Sequence, residues 1–442
     1  MKETDPYLAK FERLESEMKQ PSWVFPMRKA GISRFAELGF PTLRHEDWRF
    51  TNMAPIARLP FKPLFQVSRR APTLDAVAGF TLARLSARRL VFVDGHFAAA
   101  LSYPGPQEQG LIVGSLATAL AGDSDLIRKH LFKHTEGEAN PFTALNTAFF
   151  QDGAYIHVPA GKLVETPIHL LFISTSAESG ATSHPRNLIL AGKGSQVTVL
   201  ETYASTVDSS YFTNAATELV VEEGAVVEHV KFQDEGLSAF HVAAIHAHLG
   251  PRCNFISHSI ATGARLSRNN IRTNLAGEGI QCVLNGLYLT RGDQLADHHM
   301  VVEHAQPHCS SHEFYNGILE DRSKGVFHGR ILVRQAAQKT DAKQTNKNLL
   351  LSEEATIDTK PQLEIYADDV KCTHGATVGQ LSDEAVFYLR TRGIGEQTAR
   401  HMLIHAFAGE IIERIRHQPA REELNQLVWN RLEANPHVGA TQ

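Results

Sequence analysis

The run Lys371-Cys372-Thr373-His374-Gly375 holds the sharpest chemistry in the sequence. Residues two apart on a strand share a face, which makes the Cys372 thiol and the His374 imidazole neighbours. A protonated imidazole lowers a thiol pKa, and a thiolate is both a nucleophile and a soft-metal ligand. Lys371 adds to that effect, and Gly375 permits a close backbone approach. The plainer alternative is a buried strand cysteine beside a hydrogen-bonded histidine. One thiolate and one imidazole do not complete a metal site, so any metal at Cys372 and His374 needs ligands from another chain.

A second concentration is Asp297-His298-His299-Met300-Val301-Val302-Glu303-His304, continuing through His308-Cys309 and His312. On a strand, His298 and Met300 point one way, His299 and Val301 the other. A single extended segment cannot bring three or four donors within about 2.0–2.3 Å of one ion. Without a matching set elsewhere, surface or stacked structural histidines are the simpler account. The adjacent carboxylates Glu353-Glu354 and Asp368-Asp369 would face opposite ways on strands, which suits turns or solvated faces rather than an acid–base pair. The Gly-x-x-x-x-Gly-Lys-Ser/Thr phosphate loop, the Gly-x-Ser-x-Gly elbow, His-Glu-x-x-His and the kinase motifs are missing. ATP hydrolysis by this chain itself is therefore not expected.

The elements that must hold these residues fall into three stretches. In residues 1–146, Tyr7, Leu8, Phe11 and Leu14 form a helical apolar stripe. A second stripe at 25–38 ends at Gly39 and Pro41. The charged stretch 43–52 surrounds Trp48, expected to pack inward from a capped helix. Asp94-Gly95 between apolar runs predicts a hairpin, and 125–134 returns to helical spacing. The stretch as a whole predicts an N-terminal helical and mixed domain.

Residues 147–381 predict a mainly β core. Short β-branched runs recur behind small turn residues, in units beginning at Gly161, Gly194, Gly224, Gly250, Gly279, Gly325 and Ala355. Most gaps are roughly 26–33 residues, with a wider one after Gly279. Such units bury each other's apolar faces and point to a solenoid of stacked strands rather than a sandwich. Residues 382–442 predict a C-terminal helical domain. Ser382-Asp383 is an N-terminal cap, the run 384–392 stops at Gly393, and Ala399, Met402, Leu403, Ala406, Phe407 and Ile411 fall on one helix face. Leu424, Leu427, Val428 and Leu432 point inward from a third helix. This region either shields the solenoid's open end or serves as a docking surface.

Composition narrows the function. The 442 residues carry 44 Lys+Arg and 48 Asp+Glu, a formal charge of −4, which offers no footprint for nucleic acid or an anionic membrane. Hydrophobic content of 43% supplies a large core. Residues 1–20 lack a signal-peptide apolar region, and no apolar stretch is long enough to span a bilayer; a cytoplasmic location is expected. Cys253, Cys282, Cys309 and Cys372 are widely spaced with no Cys-x-x-Cys pair, against a disulfide framework or a self-contained cluster.

Several stretches match a known family. Thr340-Asp341-Ala342-Lys343-Gln344 with Asn348-Leu349-Leu350-Leu351-Ser352 is one. Pro361-Gln362-Leu363-Glu364-Ile365-Tyr366-Ala367-Asp368-Asp369-Val370-Lys371-Cys372-Thr373-His374-Gly375-Ala376-Thr377-Val378-Gly379 is the most specific. Phe387-Tyr388-Leu389-Arg390 and Arg392-Gly393-Ile394, leading into Ala399 and Phe407, complete the set. Together they resemble the SufB/SufD family of iron–sulfur cluster assembly proteins. The helical start with residues 44–52, and the lack of an N-terminal multi-cysteine motif, are similar to the SufD branch.

The resemblance implies a right-handed parallel β-helix flanked by helical regions, and a non-enzymatic scaffold in a complex with SufB and the ABC-type ATPase SufC. It implies that helices after Ser382 dock the ATPase, with Phe387, Tyr388, Arg392, Ala399, Leu403 and Phe407 as candidates. His374, with Cys372 as the weaker neighbour, would contribute to a transient iron–sulfur cluster shared with SufB. Passage of iron through this chain, a flavin in the complex and a homodimer in the absence of SufB are compatible with the same reading. Two other classes compete: a β-helix polysaccharide lyase or hydrolase, which needs convergent carboxylates in a groove, and a metalloenzyme centred on the histidines of 298–312.

Overall fold

A computed structural model describes residues 3–17, 21–66, 72–85, 88–122, 125–135 and 139–434. The expectations for residues 1–2, 18–20 and 435–442 lie outside the described residues. The chain is mainly β, a parallel solenoid of about 8 turns with helices at both ends.

Successive strands alternate between two facing sheets. Sheet one runs from Ala154–Val158 through Arg186–Ala191, Phe212–Val221, Phe240–Leu249, Leu266–Leu275, Leu295–His304 and Lys324–Val333 to Thr356–Ile365. Sheet two runs from Arg88–Val93 through Ile168–Ser174, Gln196–Ser205, Val226–Asp234, Asn254–Ala261, Gln281–Thr290, Ser310–Leu319 and Asp341–Leu350 to Lys371–Gly379. All these pairings are parallel. Among the described residues, antiparallel strand pairs appear only at the far ends: Ile112–Ser115 on Ala154–Val158, and His96–Phe97 on Arg88–Val93. The latter is the expected hairpin, with Asp94 and Gly95 both at positive φ. Sheet two thus begins within the stretch whose pattern suggested a separate N-terminal unit.

Turn residues explain the repeat and its apparent gap. The corners leading into sheet two have left-handed backbones at Gly161, Gly194, Gly224, Arg252, Gly279, His308 and Lys339, spaced 27 to 33 residues apart. The repeat therefore does not widen after Gly279: His308 takes the corner, at φ 59°. Gly325 and Ala355, expected to open the same series, instead belong to the approach and start of sheet-one strands.

Between the sheets lies a continuous apolar core, including Leu90, Ile156, Leu170, Val199, Leu219 and Met300, with the rings of Phe92, Phe172 and Tyr203 stacked at 4.9 and 4.8 Å. The outer face of sheet one is covered by Asp5–Glu17, Val24–Leu38 and Pro141–Phe149, which bury Phe212, Phe240 and Val242. Trp48 packs inward as expected, but from a three-residue 3-10 helix, Glu46–Trp48, with the Arg268 guanidinium 3.6 Å from its ring centre.

The C-terminal helices Asp383–Thr391, Glu396–Ile412 and Gln418–Ala434 lie along the outer face of sheet two. There Ile404, Ala408, Ile411 and Ile412, with Leu424, Val428 and Leu432, cover Leu200, Val230, Phe232, Ile260, Leu287 and Ile318. They flank the solenoid and leave its last strands uncovered, so the end-cap alternative does not describe them. The inner stripe of the middle helix is Ala399, Ile404, Ala408 and Ile411, rotated from the expected one: Met402 and Ala406 are exposed. That helix packs against both the sheet and the following helix, and a single-stripe pattern does not anticipate two contacts. Ile404→Ala should destabilise the protein by about 2–5 kcal/mol in urea unfolding, by removing buried methyl groups from this joint.

Candidate functional site

The strand Lys371–Gly379 ends sheet two and, among the described residues, pairs only with Asp341–Leu350. Its position sets the fate of each side chain. Parallel stacking aligns Cys372 with Ala342, then Ser311 and Cys282, in one column facing the core. His374 aligns with Gln344 and then Glu313 in the next column on the same face. The shared face expected from a period of two is present, but its consequences differ for the two residues.

Cys372 tucks against Ile331, Val333, Ala337 and Ala367, and burial raises its thiol pKa. A thiol held protonated is a weak nucleophile, so activation by His374 is not evident in the isolated chain. His374 is exposed, as is every residue of its strand except Cys372. The opposite edge strand of sheet one, Thr356–Ile365, is only half-buried along most of its length. The last turn of the solenoid is therefore open, with Ile365, Tyr366 and Val378 exposed on it.

Behind His374 the column turns polar and dry. Gln344 is buried and its Nε2 donates to the Glu313 carboxyl. Gly329 faces this amide from sheet one: a Cβ there would lie 2.1 Å from Gln344 Nε2 and would have to displace the amide. Glu313 is fully buried, and desolvation pushes its pKa up to about 8. It is thus largely protonated at neutral pH.

A second buried polar set crosses the interior farther back. Lys231 Nζ reaches His241 Nε2 at 2.9 Å and Asn269 Oδ1 at 3.1 Å. Glu201 accepts from Tyr203 Oη at 2.7 Å and meets His229 Nε2 at 3.0 Å, while Glu235 lies 2.6 Å from His241 Nδ1. Burial lowers the Lys231 pKa to about 8, against the pull of Glu201 and Glu235. These residues belong to no recognisable sequence motif. Their signal is the alternation His229-Lys231-Gln233, which places polar groups on the face expected to be apolar.

The histidine run divides between environments. His298 lies inside between Tyr288 and Tyr315, at 5.2 and 5.3 Å, and burial lowers its pKa to about 3. His304 also points inward, to Ser311 Oγ at 2.9 Å. His299 faces outward on sheet one, and His308 forms a corner. The run does not converge on one ion.

Of the helical candidates, Phe387 and Tyr388 are 66% and 57% exposed. Arg392 stands over the Tyr388 ring at 4.8 Å and donates from Nη2 to its hydroxyl at 2.8 Å. Leu403 and Phe407 are half-buried, and the Phe407 carbonyl accepts from Asn316 Nδ2 at 3.0 Å. Ala399 is fully buried and presents nothing to a partner.

The arrangement is that of a β-solenoid protein whose singled-out side chains stand at an uncapped sheet edge and on an exposed helix. Residues 172–407 match the family described as SUF system FeS cluster assembly, SufBD core domain, and residues 1–170 match the SufBD protein N-terminal region. The chain is 34% identical to the iron–sulfur cluster assembly protein SufD of Escherichia coli, across 92% of this chain and 93% of that one. It is 33% identical to an iron–sulfur cluster assembly SufBD family protein of Synechocystis (91% and 89%), and 27% identical to the chloroplastic protein ABCI7 of Arabidopsis thaliana (95% and 90%). The chain belongs to the SufBD family of iron–sulfur cluster assembly proteins, and within it is SufD-like. Among the described residues, no helix is long and apolar enough to cross a membrane.

Glu313 yields a pH test. Its carboxyl stays protonated in the fold up to about pH 8, whereas an ordinary carboxyl ionises near 4.5. The native state therefore holds the extra proton across that window, and stability should fall as pH rises through it, at up to about 1.4 kcal/mol per unit. Glu313→Gln should match the wild type at pH 4.5 and exceed it at pH 8 in urea unfolding.

Proposed function

We propose that this chain is a non-catalytic, cytoplasmic scaffold subunit that pairs through its open solenoid edge with a SufB-like chain and docks a SufC-like ABC ATPase through its C-terminal helices. The observation that carries the reading is the uncovered last turn. Its outer strand presents unpaired backbone groups, and its inner face presents His374, with exposed apolar side chains on the same turn. A second strand-built chain placed there would cover the apolar residues and bring further ligands to His374. Cys372 sits one position back and becomes available only if the edge shifts. The nascent iron–sulfur cluster is cargo assembled across that junction, which supplies from two chains what one strand cannot.

Phe387 and Tyr388 support the docking part of the reading. Two aromatic side chains more than half exposed, with Arg392 folded onto one of them, form the kind of anchor that interfaces bury. Movement of the docked ATPase would then be carried to sheet two, because the same helical region is packed on it. In the absence of the SufB-like chain, the edge would pair with a second copy of itself. Iron would pass through this chain to the junction, and a flavin in the complex would supply electrons there.

Reconstitution with SufB-like and SufC-like partners tests both parts. His374→Ala should leave the complex intact and reduce cluster formation, followed by iron and sulfide content, at least tenfold; a wild-type rate overturns the ligand role. Phe387→Ala with Tyr388→Ala should weaken ATPase binding by about 2 kcal/mol or more in calorimetry. Unchanged affinity overturns the docking role. Flavin absorbance and iron content of the purified complex report on the remaining two parts.

A further inference from the structure

The outer face of sheet one holds a set of donors remote in sequence. His299 and His328 are register partners on adjacent strands, Leu295–His304 and Lys324–Val333, and both point outward. Asp47, on the 3-10 helix Glu46–Trp48, comes over them from the N-terminal region. One donor atom from each residue lies within 4.8 Å of the other two. The imidazole rings meet edge to face, with centres 4.3 Å apart.

Three observations set this group apart from a chance cluster. His299 and His328 are only 8% and 5% exposed, yet His328 Nε2 has no hydrogen-bond partner. Unpaired buried ring nitrogens are costly unless something occupies them. Asp47 Oδ1 approaches His299 Nε2 only to 3.8 Å, too far for a hydrogen bond. The neighbouring cations have carboxylates of their own: Arg268 with Asp297 at 2.6 Å, Lys360 with Glu46 at 2.6 Å and Arg330 with Glu364 at 3.5 Å. Asp47 stands outside these pairs.

We propose that Asp47, His299 and His328 form a binding site for a first-row divalent transition metal. Two neutral imidazoles and one carboxylate are the donor set of zinc and of non-haem iron(II), and they disfavour calcium and magnesium, which take oxygen ligands. Bonds of about 2.0–2.2 Å require the donors to draw in by on the order of 1 Å. Asp47 can supply most of that movement, because its side chain is 56% exposed and the histidines are held by the sheet. A cleft of about 270 Å³, lined by Asp47, His299 and Asn270 and flanked by Arg268, Arg272 and Arg330, lets water fill the remaining coordination positions. The site is on a different sheet from His374 and stands or falls independently of the assembly reading.

The test uses the full chain alone, stripped with chelator and titrated anaerobically with Co²⁺, then with Zn²⁺ or Fe²⁺ in competition. One equivalent of Co²⁺ should bind with visible d–d absorption and be displaced by Zn²⁺, whereas Fe²⁺ should compete only in excess. Asp47→Asn should weaken binding at least tenfold and His328→Gln should abolish it. Failure of the wild-type chain to bind, or full-affinity binding by Asp47→Asn, would overturn the site. Because Asp47 is exposed, its variant decides the question even if the buried histidine variant does not fold.

Discussion

Parallel strands in register place each side chain about 4.8 Å from its counterpart one turn away, and nearly everything else in this protein follows from that spacing. A side chain in the wall is chosen with its column as much as with its own strand. Cys282, Ser311, Ala342 and Cys372 form one column, small enough to run down a packed face. Glu313, Gln344 and His374 form another, in which an amide satisfies a buried carboxyl and the final member meets solvent. On sheet one, His299, His328 and Lys360 share an outward column that passes beneath the N-terminal region. Chemistry in this fold is concentrated where a column ends or where another segment crosses it.

The same rule makes register exacting. Along Val226–Asp234, His229, Lys231 and Gln233 face the interior while Val230 and Phe232 lie beneath the C-terminal helices. A slip of one residue would expose this polar set to the helical layer and drive the apolar pair into a network built for hydrogen bonds. Lys231, His241, Glu201 and Glu235 are satisfied only in the observed alignment. Buried polar groups of this kind discriminate among alignments that apolar packing alone would leave close in energy.

Much of the fold was legible in the sequence because turns carry its period. Glycine marked the corners at 161, 194, 224 and 279, while Arg252, His308 and Lys339 adopt the same left-handed backbone without advertising it. The apparent widening of the repeat was that substitution. Strand alternation correctly put Cys372 and His374 on one face, but their difference in burial comes from being on the last strand, a fact of topology rather than of local pattern. The contact of Asp47 with His299 and His328 had no local signal at all. The histidine run showed one of the three, and the other two lay on the neighbouring strand and on a segment near the start of the chain. Helical periodicity located the C-terminal helices but missed their rotation, because a helix packed on two sides has no single stripe.

The two ends of the solenoid are unlike. At one, each sheet finishes in a short antiparallel strand that reverses direction and halts the ladder. At the other, both sheets stop with their parallel edges bare. Growth from such a body is possible in one direction only. If two bodies met bare end to bare end, the junction would use up both growing ends and leave a reversed strand at each extremity. An association with that polarity is self-limiting: it closes at two chains and cannot propagate into a fibre.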